Sequence, residues 1–458
     1  SASVAWRISD EPWMGWSRRA LDNAKIRLSA GSMGNGNVSP YSYTSEMTVS
    51  TADDIVLGGS YPSYTSVGST VPVSLTWEKS TTYDVGLDLD FFNNRLSVSG
   101  DYYRRYTTDM YTASVALPAV YGTGSPKGNN AEMKTDGWEL SLSWRDSFKL
   151  GGKPFDYSIK AMVWDSKSVI TKYVNDTGSL GTVKGFIENG GSPSSYYVGM
   201  TVGEIWGYTV AGLFRDQADI DSSAIHDFVQ ASDKVTRPGQ VKIADLDHNG
   251  NIDPGAFTAD DHGDLSIIGN INPHYMFGVN LAANWNGIGL SVFLQGVMKR
   301  DWYPSPDSGY FWGKYARPFM WVLGIHNYTD DMYSEEKNNW DTAYWPRMTT
   351  YQSNSSYSWT KLLEIPNTRY KQNAAYLRVK NIQVDYTFPK ALCQKIRLGG
   401  LKIYLSGENL FTFTPLHKYA PNFDPEALGY DTDFSSTAGD GYTYPVLKSV
   451  TLGVNITF

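Results

Sequence analysis

The chain has 458 residues, enough for two or three ordinary domains or for one large barrel. Its net charge of -8 excludes nucleic acid as an expected partner, because phosphate binding requires a basic surface. The single cysteine, Cys393, excludes an internal disulfide. No stretch approaches the roughly 18 uncharged apolar residues of a membrane helix.

The main feature of the sequence is an alternation of apolar and polar residues with a period of two, which is typical of β-strands with one apolar and one polar face. In one clear example, Val85, Leu87 and Leu89 alternate with Asp84 and Asp88. Eleven strands are predicted in this way, over residues 3–9, 23–32, 73–91, 95–110, 132–145, 155–169, 274–285, 288–300, 375–388, 401–410 and 446–458.

The connections between these strands alternate in length. Short turns are predicted at 92–94, 146–153, 286–287 and 389–400, and Asn286-Gly287 is a strong two-residue hairpin signal. Long excursions fall at 34–72, 111–131, 171–273, 301–374 and 411–444. This alternation is the topology of an outer-membrane barrel, with tight periplasmic turns and long extracellular loops, so the sequence predicts an all-β, antiparallel transmembrane β-barrel.

The strand count also carries expectations about what surrounds the chain. An odd number of strands cannot close a simple antiparallel barrel, and Ser1 falls where an extracellular loop is expected. No charged and apolar leader opens the sequence, although an exported protein requires one. We therefore expect residues 1–458 to be the C-terminal portion of a longer barrel, beginning outside the cell and ending in the periplasm.

Several segments resemble the SusC/RagA family of TonB-dependent transporters. They are LTWEKSTTYDVGLD at 75–88, GQVKIADLD at 239–247, DLSIIGNINP at 264–273, NAAYLRVKNI at 373–382 and LSGENLFTFT at 405–414. Their order and spacing extend the resemblance over nearly the whole chain, and together they are much more specific than any single segment.

The resemblance implies a barrel of about 22 strands, of which about eleven lie here, with a plug domain and the remaining strands on an N-terminal part. It also implies a bacterial outer-membrane location, energy from TonB through that N-terminal part, and a SusD-like surface lipoprotein as partner. The implied activity is import of glycan oligosaccharides or peptides.

An Asp-rich segment is the candidate metal site. Alternating oxygen-bearing residues around a turn glycine are how a calcium loop wraps a hard cation. An EF-hand requires a carboxylate at its twelfth position, where this chain has Ala256, so a later acid must serve, and the family segment favours Asp264 over Asp260 or Asp261. The alternative is a polar loop rich in Asx turns. The candidate ligands of a structural Ca²⁺ are Asp245, Asp247, Asn249, Asn251, Asp253 and Asp264.

The excursion at 301–374 is rich in aromatic residues, which either stack on sugar rings or pack the loop against itself or a lid protein. They are Trp302, Tyr303, Tyr310, Phe311, Trp312, Tyr315, Phe319, Trp321, Tyr344 and Trp345. At the other end of the chain, an amphipathic strand finishes at Phe458, which the family resemblance implies is the signal for barrel assembly in the outer membrane.

Catalysis has little support in the sequence. The six histidines are scattered without metal-binding spacing, and the sequence has neither a Gly-x-Ser-x-Gly elbow nor a P-loop. We therefore expect a transporter and no enzyme. Two rival hypotheses are a non-transporting outer-membrane binding or adhesion barrel and a secreted glycan-binding β-protein.

Overall fold

The computed structural model describes residues 1–36, 44, 47–68, 71, 75–114, 120, 127–175, 178–181, 196–225, 236–304, 311, 331–347, 365–428 and 446–458. Eleven strands of these ranges form one antiparallel sheet in which every strand pairs with its neighbours in chain order. We number them β1 (Ala2–Arg7), β2 (Leu21–Asn35), β3 (Glu78–Phe91), β4 (Leu96–Ala113), β5 (Lys127–Leu150), β6 (Lys153–Lys172), β7 (His274–Trp285), β8 (Ile288–Lys299), β9 (Tyr376–Thr387), β10 (Gly400–Phe413) and β11 (Ser449–Thr457).

The eleven predicted strands and their antiparallel order are confirmed, but several boundaries differ. The hairpin of β5 and β6 is longer than predicted, and the expected turn at 146–153 contracts to Gly151-Gly152. Both glycines have positive φ, as do Asn286 and Gly287 at the β7–β8 turn. Positive φ at both central residues matches the right-handed twist of the flanking strands. At the turn end of β5, Asp146 interrupts the apolar row that continues at Phe148 and Leu150, so the alternation on which the strand prediction depended stops at Arg145.

The register aligns the apolar residues of all strands on one side of the sheet, which we call the apolar face. In one row across four strands, Leu290 pairs with Val384, Val384 with Leu405, and Leu405 with Leu452. The side chains of all four are exposed to solvent in the isolated chain. A single-residue slip would move every one of them to the opposite face, so the apolar pattern fixes the register.

The opposite, polar face carries networks of charged side chains. Arg27 of β2 reaches Asp88 (Nε–Oδ2, 2.8 Å) and Asp101 (Nη2–Oδ1, 2.9 Å) on the next two strands. Gly86 lies beneath this network, and a Cβ there would collide with the Asp101 carboxylate and the Arg27 guanidinium. The glycine therefore allows three strands to share one ion-pair network.

Connections at the two ends of the sheet differ in length. One end has the connections 8–20, 92–95, 151–152, 286–287 and 388–399. The first contains 3-10 turns at Ile8–Asp10 and Pro12–Arg19, and the last contains a short helix over Lys390–Lys395. The other end has the excursions 36–77, 114–126, 173–273, 300–375 and 414–448. We call these the turn side and the loop side. Among the described residues, no helix combines the length and hydropathy needed to cross a membrane.

The loop-side excursions contain further short elements. The described ones are the strand pairs Met47–Thr51 with Ser63–Val67, Glu204–Tyr208 with Leu265–Asn270, Val210–Leu213 with Val241–Ile243, and Asp301–Trp302 with Gln372–Asn373, together with the helix Gln217–Asp221 and the 3-10 turn Pro415–Lys418.

The described hydrophobic core lies in these excursions. Nearly all of its buried side chains come from residues 180–271, 302–374 and 416–428, with Ile170 from the end of β6. We call this packed body the loop layer. Among the described residues, no layer covers the apolar face of the sheet, which is the arrangement of a barrel wall. In a sandwich, by contrast, apolar faces pack together.

We predict that charge is tolerated very differently on the two faces. With the apolar face of the closed barrel in a bilayer, Leu405→Arg should lower the free energy of unfolding by about 2–4 kcal/mol, the penalty for a cation on a lipid-facing surface near mid-membrane. The adjacent Ser406→Arg, on the polar face, should have little effect. Denaturant titration in lipid vesicles measures both, and equal losses would contradict the assignment of faces.

Candidate functional site: an acidic segment and a packed loop layer

The Asp-rich segment folds into a compact loop in which three of the six candidate ligands converge. Asp245, Asp247 and Asp264 each offer a carboxylate oxygen within 4.8 Å of the others. Asp260 and Asp261 do not join this group. The left-handed residues His248 (φ 60°) and Gly250 (φ 86°) turn the chain back so that Asp245 and Asp247 face the later acid.

Asp264 is completely buried beneath this loop. Its Oδ1 accepts the Leu246 amide at 2.6 Å and its Oδ2 accepts the Asp253 amide at 2.9 Å. Burial raises the pKa of Asp264, and the nearby Asp247 carboxylate raises it further, although the two backbone amides act in the opposite direction. A buried acid facing a second acid is the electrostatic situation that a bound cation relieves.

The remaining candidates support the loop mainly through internal hydrogen bonds. Asn249 donates from Nδ2 to Asp247 Oδ2 (2.9 Å) and to Asp253 Oδ2 (3.1 Å), and its Oδ1 accepts the Asn251 amide (2.7 Å). The other Asp253 oxygen accepts the Gly255 amide at 2.8 Å. Asx-type turns therefore hold the loop in shape while three carboxylates converge. Calcium binding at these residues stays a prediction.

Asp245 is the third of the converging carboxylates. Its Oδ2 accepts the Gly250 amide at 3.0 Å, and its Oδ1 is buried without a hydrogen-bond partner. Burial alone raises the pKa of Asp245, but the amides of Gly250 and His248 outweigh it and the pKa is lowered. An ionised carboxylate with one buried, unsatisfied oxygen is a suitable ligand for a hard cation such as Ca²⁺.

The aromatic residues of the 301–374 excursion are mostly buried where the structure describes them. Trp302, Tyr303, Phe311 and Trp345 are each at most 3% exposed and belong to the loop layer. Tyr344 stacks flat on Tyr419, with ring centroids 3.6 Å apart. These rings pack the loop against its neighbours. The positions of Tyr310, Trp312, Tyr315, Phe319 and Trp321 lie outside the described residues.

Two buried arginines, which the sequence analysis did not identify, fasten the loop layer to the sheet. Arg300, at the end of β8, donates to the carbonyls of Ile271 (3.1 Å), Pro425 (2.9 Å) and Leu428 (3.1 Å). Arg300 therefore joins the excursions 173–273 and 414–448 at the point where the excursion 300–375 begins. Nothing in the local sequence indicates this, because the partners are distant along the chain.

Arg378 of β9 is the second buried arginine. It pairs with Asp424 (2.5 Å) and Glu426 (2.8 Å) and donates to Thr412 Oγ1 (2.9 Å). Burial by itself raises the pKa of Asp424, but the Glu426 amide and the Arg378 guanidinium outweigh burial, and the pKa is lowered. Asp424 stays charged because the Arg378 guanidinium and the Glu426 amide both hydrogen-bond to its carboxylate.

Three further features have clear positions. His274 of β7 lies beside Asp165 of β6, with Nδ1 and Oδ1 2.8 Å apart, a pairing between adjacent strands that the sequence analysis missed. Cys393 is buried in the short turn-side helix, as expected for a small apolar residue. On β11, Val450, Leu452, Val454 and Ile456 are exposed on the apolar face, and Phe458 follows with 93% of its surface exposed.

Comparison with known proteins agrees with this architecture. Residues 1–228 match the family described as TonB dependent receptor-like, beta-barrel. TonB-dependent receptor P3 of Formosa agariphila is 26% identical over all of this chain, which covers 41% of that receptor. TonB-dependent receptor SusC of Bacteroides thetaiotaomicron is 24% identical over all of the chain and 40% of SusC. The chain thus spans about two fifths of the length of these curated relatives.

Solved structures give the same fold. The RagAB peptide importer in its open-open state superposes with a TM-score of 0.68 at 20% identity, over all of this chain and 42% of the importer chain. The chain therefore has the fold of the TonB-dependent receptor β-barrels. Within that class it resembles the SusC/RagA type, as its motifs predicted.

We predict that the Arg378 cluster is essential to the loop layer. Arg378→Met should destabilise the loop layer by about 3–5 kcal/mol, because two acids lose their buried counter-ion. Hydrogen exchange across residues 415–428 measures the loss, and additional Asp424→Asn and Glu426→Gln changes should restore part of it. Arg95→Met breaks an exposed pair with Asp146 and should cost under about 1 kcal/mol. Equal effects of the two arginine changes would contradict the prediction.

Proposed function

We propose that this chain is part of the wall of an outer-membrane nutrient importer of the SusC/RagA type, driven through TonB. The observation that carries the proposal is the sheet itself, with eleven antiparallel strands in chain order, one continuous apolar face, and connections that are short on one side and long on the other. The similarity to TonB-dependent receptors along the whole chain supports the same function.

The proposed orientation follows from the two faces and the two ends. The apolar face meets lipid, the polar face with its Arg27 network lines the lumen, and the turn side lies in the periplasm. The loop layer then stands outside the cell, where it forms one side of the lumen entrance. A receptor barrel of this family belongs in the bacterial outer membrane.

Further strands should complete this wall. In the part of the chain that the structure describes, β1 and β11 each pair with one strand, so each leaves a row of backbone N–H and C=O groups unpaired. At membrane depth every such group costs several kcal/mol. We propose that an N-terminal part of the same transporter supplies strands to both edges together with the plug and the TonB-contacting segment. The exposed Phe458 serves as the assembly signal in this proposal.

The proposed substrates are glycan oligosaccharides or peptides, and a SusD-like surface lipoprotein is the proposed partner. RagAB, whose chain superposes here, is a peptide importer, which supports the peptide alternative. The glycan alternative comes from the resemblance of the sequence motifs to the SusC/RagA family. A surface available to the lipoprotein is the hairpin Met47–Thr51 and Ser63–Val67, where Met47 and Val49 are exposed and apolar. An isolated two-stranded hairpin is marginally stable, so a partner would stabilise it.

Uptake by cells that express the complete transporter tests the function. Cells grown on labelled oligosaccharides or labelled peptides should accumulate one class, and accumulation should stop when TonB or the transporter gene is deleted. Purification from the outer-membrane fraction should recover a surface lipoprotein with the transporter. Binding of substrate at the surface with no TonB-dependent accumulation would support the rival view of a binding or adhesion barrel, and recovery as a soluble protein would support a secreted glycan-binding protein.

We also propose that the acidic segment binds Ca²⁺ in a structural role. Asp245, Asp247 and Asp264 would supply carboxylate oxygens, with Asn249, the Asn251 carbonyl and Asp253 as further donors. The ion would neutralise the mutual repulsion of the three converging carboxylates and fix the loop against the strand pair Glu204–Tyr208 and Leu265–Asn270. Oxygen donors of this kind suit Ca²⁺, and extracellular sites need bind only in the range of about 10⁻⁴–10⁻³ M.

Calcium should therefore slow hydrogen exchange in residues 245–264 of the purified transporter, and a chelator should reverse the effect. Asp247→Asn with Asp264→Asn should abolish the calcium response by removing two converging carboxylates. Asp260→Asn with Asp261→Asn removes the same charge from exposed positions of the same segment and should leave the response intact. If both double variants respond like the parent protein, the segment is a hydrogen-bonded loop and no calcium site.

A further inference from the structure

Three short connections on the turn side form one continuous surface. The Trp285 indole Nε1 donates to the Leu150 carbonyl at 3.1 Å, which joins the β5–β6 turn to the β7–β8 turn. The Thr387 amide donates to the Gly287 carbonyl at 2.7 Å, which joins the β7–β8 turn to the connection between β9 and β10. We call residues 148–153, 285–287 and 388–397 the turn-side collar.

The collar is strongly basic in an otherwise acidic chain. It contains five cations and no aspartate or glutamate, and all five are exposed. None of the five has a carboxylate partner among the residues that the structure describes, whereas the neighbouring Lys402 is paired with Asp385 at 3.0 Å. The collar cations are Lys149, Lys153, Lys390, Lys395 and Arg397.

The same surface exposes large apolar side chains. Phe148, Leu150, Leu392 and Ile396 are each 45–56% exposed. Leu392 lies in the short helix and Ile396 directly follows its last residue, while Cys393 is buried and anchors the helix to the protein. Exposed leucine and isoleucine beside lysine are unfavourable in water and are typical of a segment at a membrane surface.

These apolar side chains are continuous with the apolar face of the sheet. The rings of Phe148 and Phe155 lie with centroids 5.0 Å apart, and Phe155 pairs across the strands with Trp285. Aromatic residues at strand ends occupy the boundary between hydrocarbon and headgroups. The collar cations therefore stand immediately beyond that boundary, where long side chains extend their charged ends toward water and phosphate.

We propose that the turn-side collar binds anionic phospholipid headgroups of the membrane leaflet that it faces. The inference rests on the proposed function, because it requires the apolar face to lie in lipid. A soluble acidic protein would satisfy the cations alone, whereas a lipid surface satisfies both the cations and the apolar side chains. Basic segments next to a membrane bind anionic lipid in this way, and the attraction weakens with salt.

The test is lipid selectivity of the complete transporter in detergent, measured by native mass spectrometry with phosphatidylglycerol or phosphatidylcholine of the same acyl chains. The parent protein should retain phosphatidylglycerol preferentially, by at least about fivefold. Lys390→Gln, Lys395→Gln and Arg397→Gln together should remove most of that preference. The matched control is Lys79→Gln, Lys127→Gln and Lys299→Gln, which removes the same charge from exposed positions at the loop-side ends of strands.

Three results would overturn the proposal. They are equal retention of the two lipids by the parent protein, an unchanged preference in the collar variant, and an equal loss of preference in the control variant. Heat-shifted mobility on gels establishes that each barrel is assembled. Recovery of the parent transporter outside the outer-membrane fraction would instead overturn the proposed function, and lipid selectivity in detergent remains measurable in that case.

Discussion

A strand surrounded by lipid has only other strands with which to pair its backbone N–H and C=O groups, and this requirement organises the rest of the structure. Each interior strand of the sheet is hydrogen-bonded on both sides to its neighbours in chain order. Antiparallel pairing of consecutive strands permits turns as short as Gly151-Gly152 and Asn286-Gly287 at one end. The opposite end is then free to carry excursions of any length, and the loop layer is built there.

The two halves of the structure are stabilised by different interactions. In the sheet, backbone pairing and the register of the apolar face dominate, and polar-face networks such as Arg27 with Asp88 and Asp101 join neighbouring strands. The loop layer resembles an ordinary soluble domain, with a buried aromatic core that includes Trp345 and Tyr370. Arg300 and Arg378 connect the two halves through buried hydrogen bonds, so the position of the loop layer above the wall is fixed by charge and not only by packing.

Features formed by residues that are close together in the chain could be predicted from the sequence, whereas contacts between distant residues could not. The strands and the Asn286-Gly287 turn are local patterns, and all eleven strands of the sheet were predicted. The partners of Arg300 are up to 128 residues away, and His274 and Asp165 are 109 residues apart, so no local pattern reveals them. Asp264 was paired with Asp245 and Asp247 through a family segment, since spacing alone allowed Asp260 or Asp261 equally well.

The composition of the loop layer has a consequence for the order of folding. Its core brings together side chains from Ile170 to Leu428, and Arg300 holds carbonyls that come from both sides of it in the chain. The sheet can grow by adding one hairpin to the next, because each strand pairs its backbone with its neighbours in chain order. The core cannot condense until β6 to β10 stand side by side, since its segments belong to loops that those strands separate. The loop layer should therefore be the last part of the chain to become ordered, and a completed sheet can precede a finished loop layer.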